Sequence, residues 1–401
     1  MLQIPEARQK ILAGVPPHQA ENVALSAAHG RFLAEDIAAP ADLPGFDNSA
    51  MDGYAVRAAD VAGATADKPA ELRLIGRVAA GGGFAGEIGP GACVRVFTGS
   101  PLPAGADAVV MQEDCAVDPA ASDRVKVMDA VKPWENVRFR GEDVKQGRIV
   151  AAKGARLTAG RVALLAALGV GSVRVGRQPV VGLIATGNEL REAGEPLAPG
   201  QIYESNRAGL ALLAARAGGT PKIYPLVPDE PAATRAVLER ALAECDVVVS
   251  SGGVSVGEHD CVKDAFVAAG GEVNFWRVAI KPGKPLVFGR HGTKIFFGLP
   301  GNPVSAVVGF EVFVRPVLLR WQGAAEVEPE TVPGVLAEPL ENRGDRPHYI
   351  RVRFSPDGRV TNTGPQASHI LSSLADANGL VMLPPNTVWP AGRTVSVIRL
   401  D

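Results

Sequence analysis

The sequence has 401 residues and a formal net charge of −2, with 21% charged and 46% apolar residues, so it can bury more than one core and divides naturally into two to four domains. These proportions exclude extensive disorder and the basic surface of a general nucleic-acid binder, so any phosphate recognition must be local. Glu6, Arg8 and Lys10 interrupt the start of the chain, and the longest apolar stretch, residues 162–170, is far shorter than the roughly 20 residues that cross a bilayer. A cytoplasmic protein without membrane contact is expected.

The opening residues, to about position 15, carry Ile4, Ala7, Ile11 and Leu12 near helical spacing and stop at Gly14 and the Pro16-Pro17 pair, which predicts one short helix. Residues 36–150 are short, β-like segments, 72–75, 93–97, 108–111 and 125–127, punctuated by Gly and Pro clusters. Thr158 reads as the N-cap of an apolar helix over 162–168. From 179 to about 321, buried strands at 180–184, 223–226, 246–250 and 294–297 alternate with helices at 208–217, 232–243 and 262–269, the pattern of an α/β domain with a mainly parallel sheet. The tail alternates with period two at 349–354, 360–361 and 395–398, as a second small β domain would. Cys93, Cys115, Cys245 and Cys261 show no paired spacing and read as reduced, buried side chains.

In a parallel sheet, ligands sit beyond the carboxyl ends of the strands. The loop after 246–250, Ser251-Gly252-Gly253-Val254-Ser255-Val256-Gly257-Glu258-His259-Asp260, has three glycines and two further hydroxyls that would let backbone N–H groups approach a phosphate or a pterin. Asp260 either caps the next helix or holds a Mg²⁺ between phosphates. Lys281 and Lys284 bring two cations onto a proline-stiffened stretch. Pro300-Gly301-Asn302-Pro303 leads from a strand into a long helix, with Asn302 as N-cap and Pro303 at the first helical position, where a helix start favours a dianion. Glu189 and Asp229 follow the first and second strands and face the same side. They read equally well as capping or solvated loop residues. The polar loops around Asp52 and Asp143 are explained by turn formation alone.

The stretches PGFDNSAMDGYAV, VFTGSPLPAGADAVVMQE, RGED, ATGNEL, SSGGVSVGEHD, IKPGKP and GLPGNPVSA together resemble the MoeA family of molybdopterin molybdenumtransferases, which includes the E domain of gephyrin, over essentially the whole chain. The resemblance implies a multidomain α/β plus β fold: a linker and dimerisation domain from residues 1–35 and 148–178, a β domain over 36–147, a central α/β molybdopterin-binding domain over 179–325, and a C-terminal β domain over 326–401. It implies insertion of molybdate into adenylylated molybdopterin with release of AMP, a homodimer, and transient contact with the adenylyltransferase that makes the substrate. Two readings stay open beside it, a molybdopterin adenylyltransferase and a gephyrin-like scaffold with little catalysis.

Residue by residue, the resemblance places the pterin nucleotide around Gly252, Gly253, Ser255 and Asp260, with Glu189 and Asp229 beside it. It places molybdate near Lys281, Lys284, Pro300, Pro303, Arg351 and Ser368. Asp52, Thr98 and Asp143 match positions of a β domain that approaches the site from the partner subunit, with Thr98 assigned to the nucleotide. Asp52, Asp143, Glu189, Asp229 and Asp260 are the candidate catalytic carboxylates, and Asp260 is the candidate Mg²⁺ ligand. Arg277 stands where many relatives have Lys, which keeps the charge but changes the donor geometry.

Overall fold

Between Asp36 and Ala152 the short β-like segments build a six-stranded sheet in the order Ala108–Met111, Gly53–Val56, Ala92–Val96, Ala70–Arg77, Arg124–Val127 and Cys115–Val117. Its core is Tyr54, Val56, Leu72, Cys93, Val110 and Val125, and burial pushes the Cys93 thiol up to about 12. In this computed structural model, which describes residues 1–79, 81–117, 123–253 and 261–400, the chain forms two compact units. One comprises Asp36–Ala152 and Ala159–Ser172; the other comprises Met1–Glu35, Lys153–Thr158 and Val173–Asp401. The helix expected over 162–168 spans Ala159–Ala167, in the first of these units.

In the larger unit, helix α1, Ile4–Ala13, turns Ile4, Ala7 and Ile11 into the main core. The central domain then runs β1 (Val180–Ala185), α2 (Asn206–Arg216), β2 (Thr220–Ile223), α3 (Pro231–Glu244), β3 (Val247–Ser251), α4 (Cys261–Ala268), β4 (Glu272–Arg277), β5 (Pro285–His291) and β6 (Lys294–Leu299). The sheet order is β2-β1-β3-β6-β5-β4, in which the first four strands are parallel and β5 and β4 add antiparallel. The sequence pattern shows the inner parallel strands β1, β3 and β6, which are buried on both faces. It does not show β4, where exposed and half-buried positions alternate, or β5. The second expected strand is also displaced: β2 ends at Ile223, and Tyr224 and Val227 continue beside β1 through N–H bonds to the Leu183 and Ala185 carbonyls.

After β6 the helix begins at Pro303 with Asn302 in the N-cap position, although the Asn302 side chain makes no capping bond. It runs through α5 (Pro303–Gly309) and α6 (Arg315–Trp321), joined by one π-helical turn, Phe310–Val314. Pro316, just beyond that turn, has no N–H to return to the preceding turn, so the helix widens there without losing a donor.

The tail closes into a five-stranded barrel of β7 (Thr331–Leu336), β8 (His348–Phe354), β9 (Arg359–Asn362), β10 (Gly379–Leu383) and β11 (Thr394–Arg399). Ile350, Val352, Val360, Val381, Leu383 and Val397 fill its interior, and closure leaves no unpaired edge among these strands. The backbone of barrel strand β8 and its lead-in pairs with the α/β domain at Lys281. The Lys281 N–H donates to the Pro347 carbonyl at 2.8 Å, and the Tyr349 N–H donates to the Lys281 carbonyl at 2.8 Å.

Candidate functional site

The carboxyl ends of β1, β3 and β6 open into a cleft of about 1010 Å³, a volume suited to a substrate with a phosphate and a ring system. At the end of β3, Gly252 and Gly253 hold φ of +91° and +65°. A Cβ would stand 2.8 Å from the Thr186 carbonyl oxygen at position 252 and 2.4 Å from Val262 Cγ2 at position 253. Both conformation and space therefore demand glycine here. The turn is pinned to the neighbouring strand by the Gly252 N–H, which donates to the Leu299 carbonyl at 3.1 Å. Ser255 and Asp260, the remaining members of this expected loop, lie outside the described residues.

Glu189 and Asp229 both line the cleft, delivered by the ends of β1 and of the segment after β2. The two loops lock reciprocally: the Asn188 N–H donates to Asp229 Oδ2 at 3.2 Å, and the Asp229 N–H donates to Asn188 Oδ1 at 3.1 Å. One carboxylate oxygen of Asp229 thus serves loop geometry, in keeping with the polar-loop alternative.

Another part of the cleft's lining is cationic. Lys281, Pro300, Pro303 and Ser368 all line it, and Ser368 is held by two bonds, accepting from Asn302 Nδ2 at 3.0 Å on its hydroxyl and from the Val304 N–H at 3.2 Å on its carbonyl. The first donor of the helix start is therefore already occupied. Lys284 does not line this cleft; it faces a separate cavity of about 340 Å³ with Trp276 and Arg277.

Arg351 does not line the cleft either. On β8 its neighbours Ile350 and Val352 point into the barrel, so alternation sends Arg351 to the outer face, where the segment 365–373 covers it completely. Its guanidinium donates to Ser373 Oγ at 2.9 Å, to the Pro365 carbonyl at 2.8 Å and to the Ala367 carbonyl at 3.2 Å. It shapes the segment that presents Ser368. The second cation lining the cleft is Arg346, whose Nη1 donates to the Ile280 carbonyl at 2.9 Å beside Lys281. In the sequence Arg346 is one charge in the solvated-looking run Asp345-Arg346, and nothing there marks it. His348, behind Lys281, is buried with Nε2 unpartnered, and burial, then Lys281, Arg351 and Arg346, pushes its pKa down to about 4.

In the other unit Asp52 and Thr98, 46 positions apart, come together. Asp52 Oδ1 accepts the Thr98 N–H at 2.8 Å and the Thr98 hydroxyl at 3.0 Å, and these two bonds hold the Asp52 carboxyl below the usual carboxylate range. Asp143 is exposed on a turn whose N–H donates to the Leu43 carbonyl. Among the described residues, no group of three or more His, Cys, Asp or Glu side chains is placed to hold a metal ion, and no helix is long and apolar enough to cross a membrane.

Three family models match in order along the chain: "MoeA N-terminal region (domain I and II)" over residues 2–169, "Probable molybdopterin binding domain" over 182–320 and "MoeA C-terminal region (domain IV)" over 333–400. A molybdopterin molybdenumtransferase of Haemophilus influenzae is 38% identical over 404 aligned residues, covering 99% of this chain and 98% of that one. The chain belongs to the MoeA family of molybdopterin molybdenumtransferases. A second MoeA relative, the molybdopterin molybdenumtransferase of Bacillus subtilis, is 36% identical and covers 100% of this chain and 94% of its own. The crystal structure of the molybdopterin biosynthesis moeA protein from Pyrococcus horikoshii superposes with a TM-score of 0.85 at 34% identity, covering 99% of each chain. The mixed central sheet, the flanking helices and the small β folds on either side of it in sequence match MoeA organisation.

Proposed function

We propose that the cleft inserts molybdate into adenylylated molybdopterin and releases AMP. The supporting observation is the joining of two unlike ends in one cavity: a glycine turn at the carboxyl end of β3 that admits phosphate or pterin, and a cationic end lined by Lys281 and Arg346 with Ser368. A tetrahedral dianion at the second end would meet the reacting dithiolene of a nucleotide held at the first. Two thiol protons and one oxo oxygen leave together as water as two Mo–S bonds form, and a water molecule adds across the phosphoanhydride to release AMP. Lys281 and Arg346 offset the anionic charge that this crowding creates. Ser368 supplies a directional hydroxyl, and the backbone bonds of Lys281 to Pro347 and Tyr349 set where the ammonium originates.

The reading includes a Mg²⁺, which takes one or two carboxylates alongside phosphate oxygens and water. Glu189, which lines the cleft, and Asp260 would hold it, and it would supply polarisation of the phosphoanhydride. The reading includes a cytoplasmic homodimer in which Asp52, Thr98 and Asp143 of a second copy complete the nucleotide end. Purified protein is tested with adenylylated molybdopterin and Mg²⁺, and AMP is followed on addition of molybdate. Molybdate-dependent AMP release is expected. Pyrophosphate formation from ATP and molybdopterin without it would favour the adenylyltransferase, and absence of turnover would favour the scaffold.

A further inference from the structure

The two parts of the cleft are not simply neighbours; one side chain of the cleft's own lining connects them. Asn206 opens α2, and its single amide nitrogen donates to Ser251 Oγ at 2.5 Å and to the Gly301 carbonyl at 2.7 Å. Ser251 is buried and immediately precedes the glycine turn. Gly301 immediately precedes Asn302, which donates to Ser368. The polar path runs from the glycine turn through Asn206 to the 300–303 segment and on to the barrel residue of the cationic end. The two backbones also run side by side along it, since a Cβ on Gly301 would lie in ordinary contact with Gly252 Cα, at 3.6 Å.

We propose that Asn206 is a positioning residue that sets the spacing between the nucleotide end and the oxyanion end. The inference rests on the proposed reading of the cleft and adds a lining residue whose amide is committed to joining the two segments. An amide suits this job because its two N–H donors can satisfy a hydroxyl and a carbonyl at once. Aspartate, of the same size, would set a carboxylate oxygen against the Gly301 carbonyl. Misplacing two bound reactants by about 1 Å is enough to lower turnover by about two orders of magnitude while each still binds. Removing Asn206 should therefore separate binding from reaction.

The test compares wild type with Asn206→Ala, Asn206→Asp and Ser251→Ala, all confirmed folded by a cooperative thermal transition. With adenylylated molybdopterin and molybdate, both Asn206 variants should lose about tenfold or more in kcat, while the affinity of each substrate measured alone stays within about threefold. Combining Asn206→Ala with Ser251→Ala should add little, because both remove the same bond. Amide exchange followed by mass spectrometry should be faster in Asn206→Ala over 298–304 and 364–369, a readout that needs no activity. A kcat within twofold of wild type, or a weakened affinity that accounts for the whole loss, overturns the inference. If wild type itself shows no molybdate-dependent AMP release, the functional reading fails, and the exchange data decide alone: unchanged protection in both segments overturns the spacing role.

Discussion

The segment 280–285 of the α/β domain and the segment 346–351 of the barrel meet at Lys281, and each carries two cations with opposite fates. Lys281 and Arg346 line the cleft, whereas Lys284 faces a different cavity and Arg351 is buried under the segment that bears Ser368. The contrast shows that charge within a motif does not say what the charge is for. A guanidinium held by two carbonyls and a hydroxyl works on the backbone. One that lines the cavity is open to a ligand, which buried Arg351, with its own Nη1 unpartnered, is not.

The contrast is broken or sharpened most strongly at Arg351. Truncating it to Ala leaves the Pro365 and Ala367 carbonyls without their donor and opens a void, so Arg351→Ala should lose about 3–5 kcal/mol of stability, with an earlier urea midpoint. Wild-type stability together with weakened molybdate affinity would make Arg351 a ligand contact after all.

His348 gives a pH-dependent version of the same test. Its pKa stands at about 4 in the fold and near 6.5 in an unfolded chain. Between those values the unfolded chain takes up a proton that the native state refuses. This contribution is therefore complete above about pH 6.5 and is lost as the pH falls toward about 4, by at most about 3 kcal/mol. Calorimetric unfolding of His348→Gln across this window should show a flatter pH dependence than wild type. Equal slopes would mean that His348 is protonated in the fold.

The smaller effects distinguish the cations directly. Arg346→Ala should change stability by only about 0.5 kcal/mol but raise the molybdate concentration for half-maximal AMP release by about ten- to a hundredfold, the equivalent of one charge-assisted hydrogen bond. Lys284→Ala should shift it by about twofold or less. Reversal of that order in a titration at saturating nucleotide would restore Lys284 to the oxyanion end.

Much of this was legible beforehand for a physical reason. The parallel strands β1, β3 and β6 are apolar runs because both faces are covered, and glycine at 252 and 253 is demanded by the backbone itself, so pattern and residue type carry the information. Asn302 was legible as the residue before a helix, but its side chain serves Ser368 of another domain. Arg346 and Asn206 were illegible because their roles arise from partners 66 and 95 positions away in sequence. The burial of Arg351 was hidden too, since strand alternation predicts only that it leaves the barrel interior, and the covering segment decides that it is buried.

The stitch between Lys281 and the barrel has a consequence for modularity. A free-standing α/β domain cut at residue 325 would keep the sheet and its glycine turn. It would lose Arg346 and Ser368 together with the two backbone bonds that hold Lys281 to Pro347 and Tyr349. The cationic part of the cleft is thus a property of the joined domains, whereas the glycine turn belongs to the α/β domain alone.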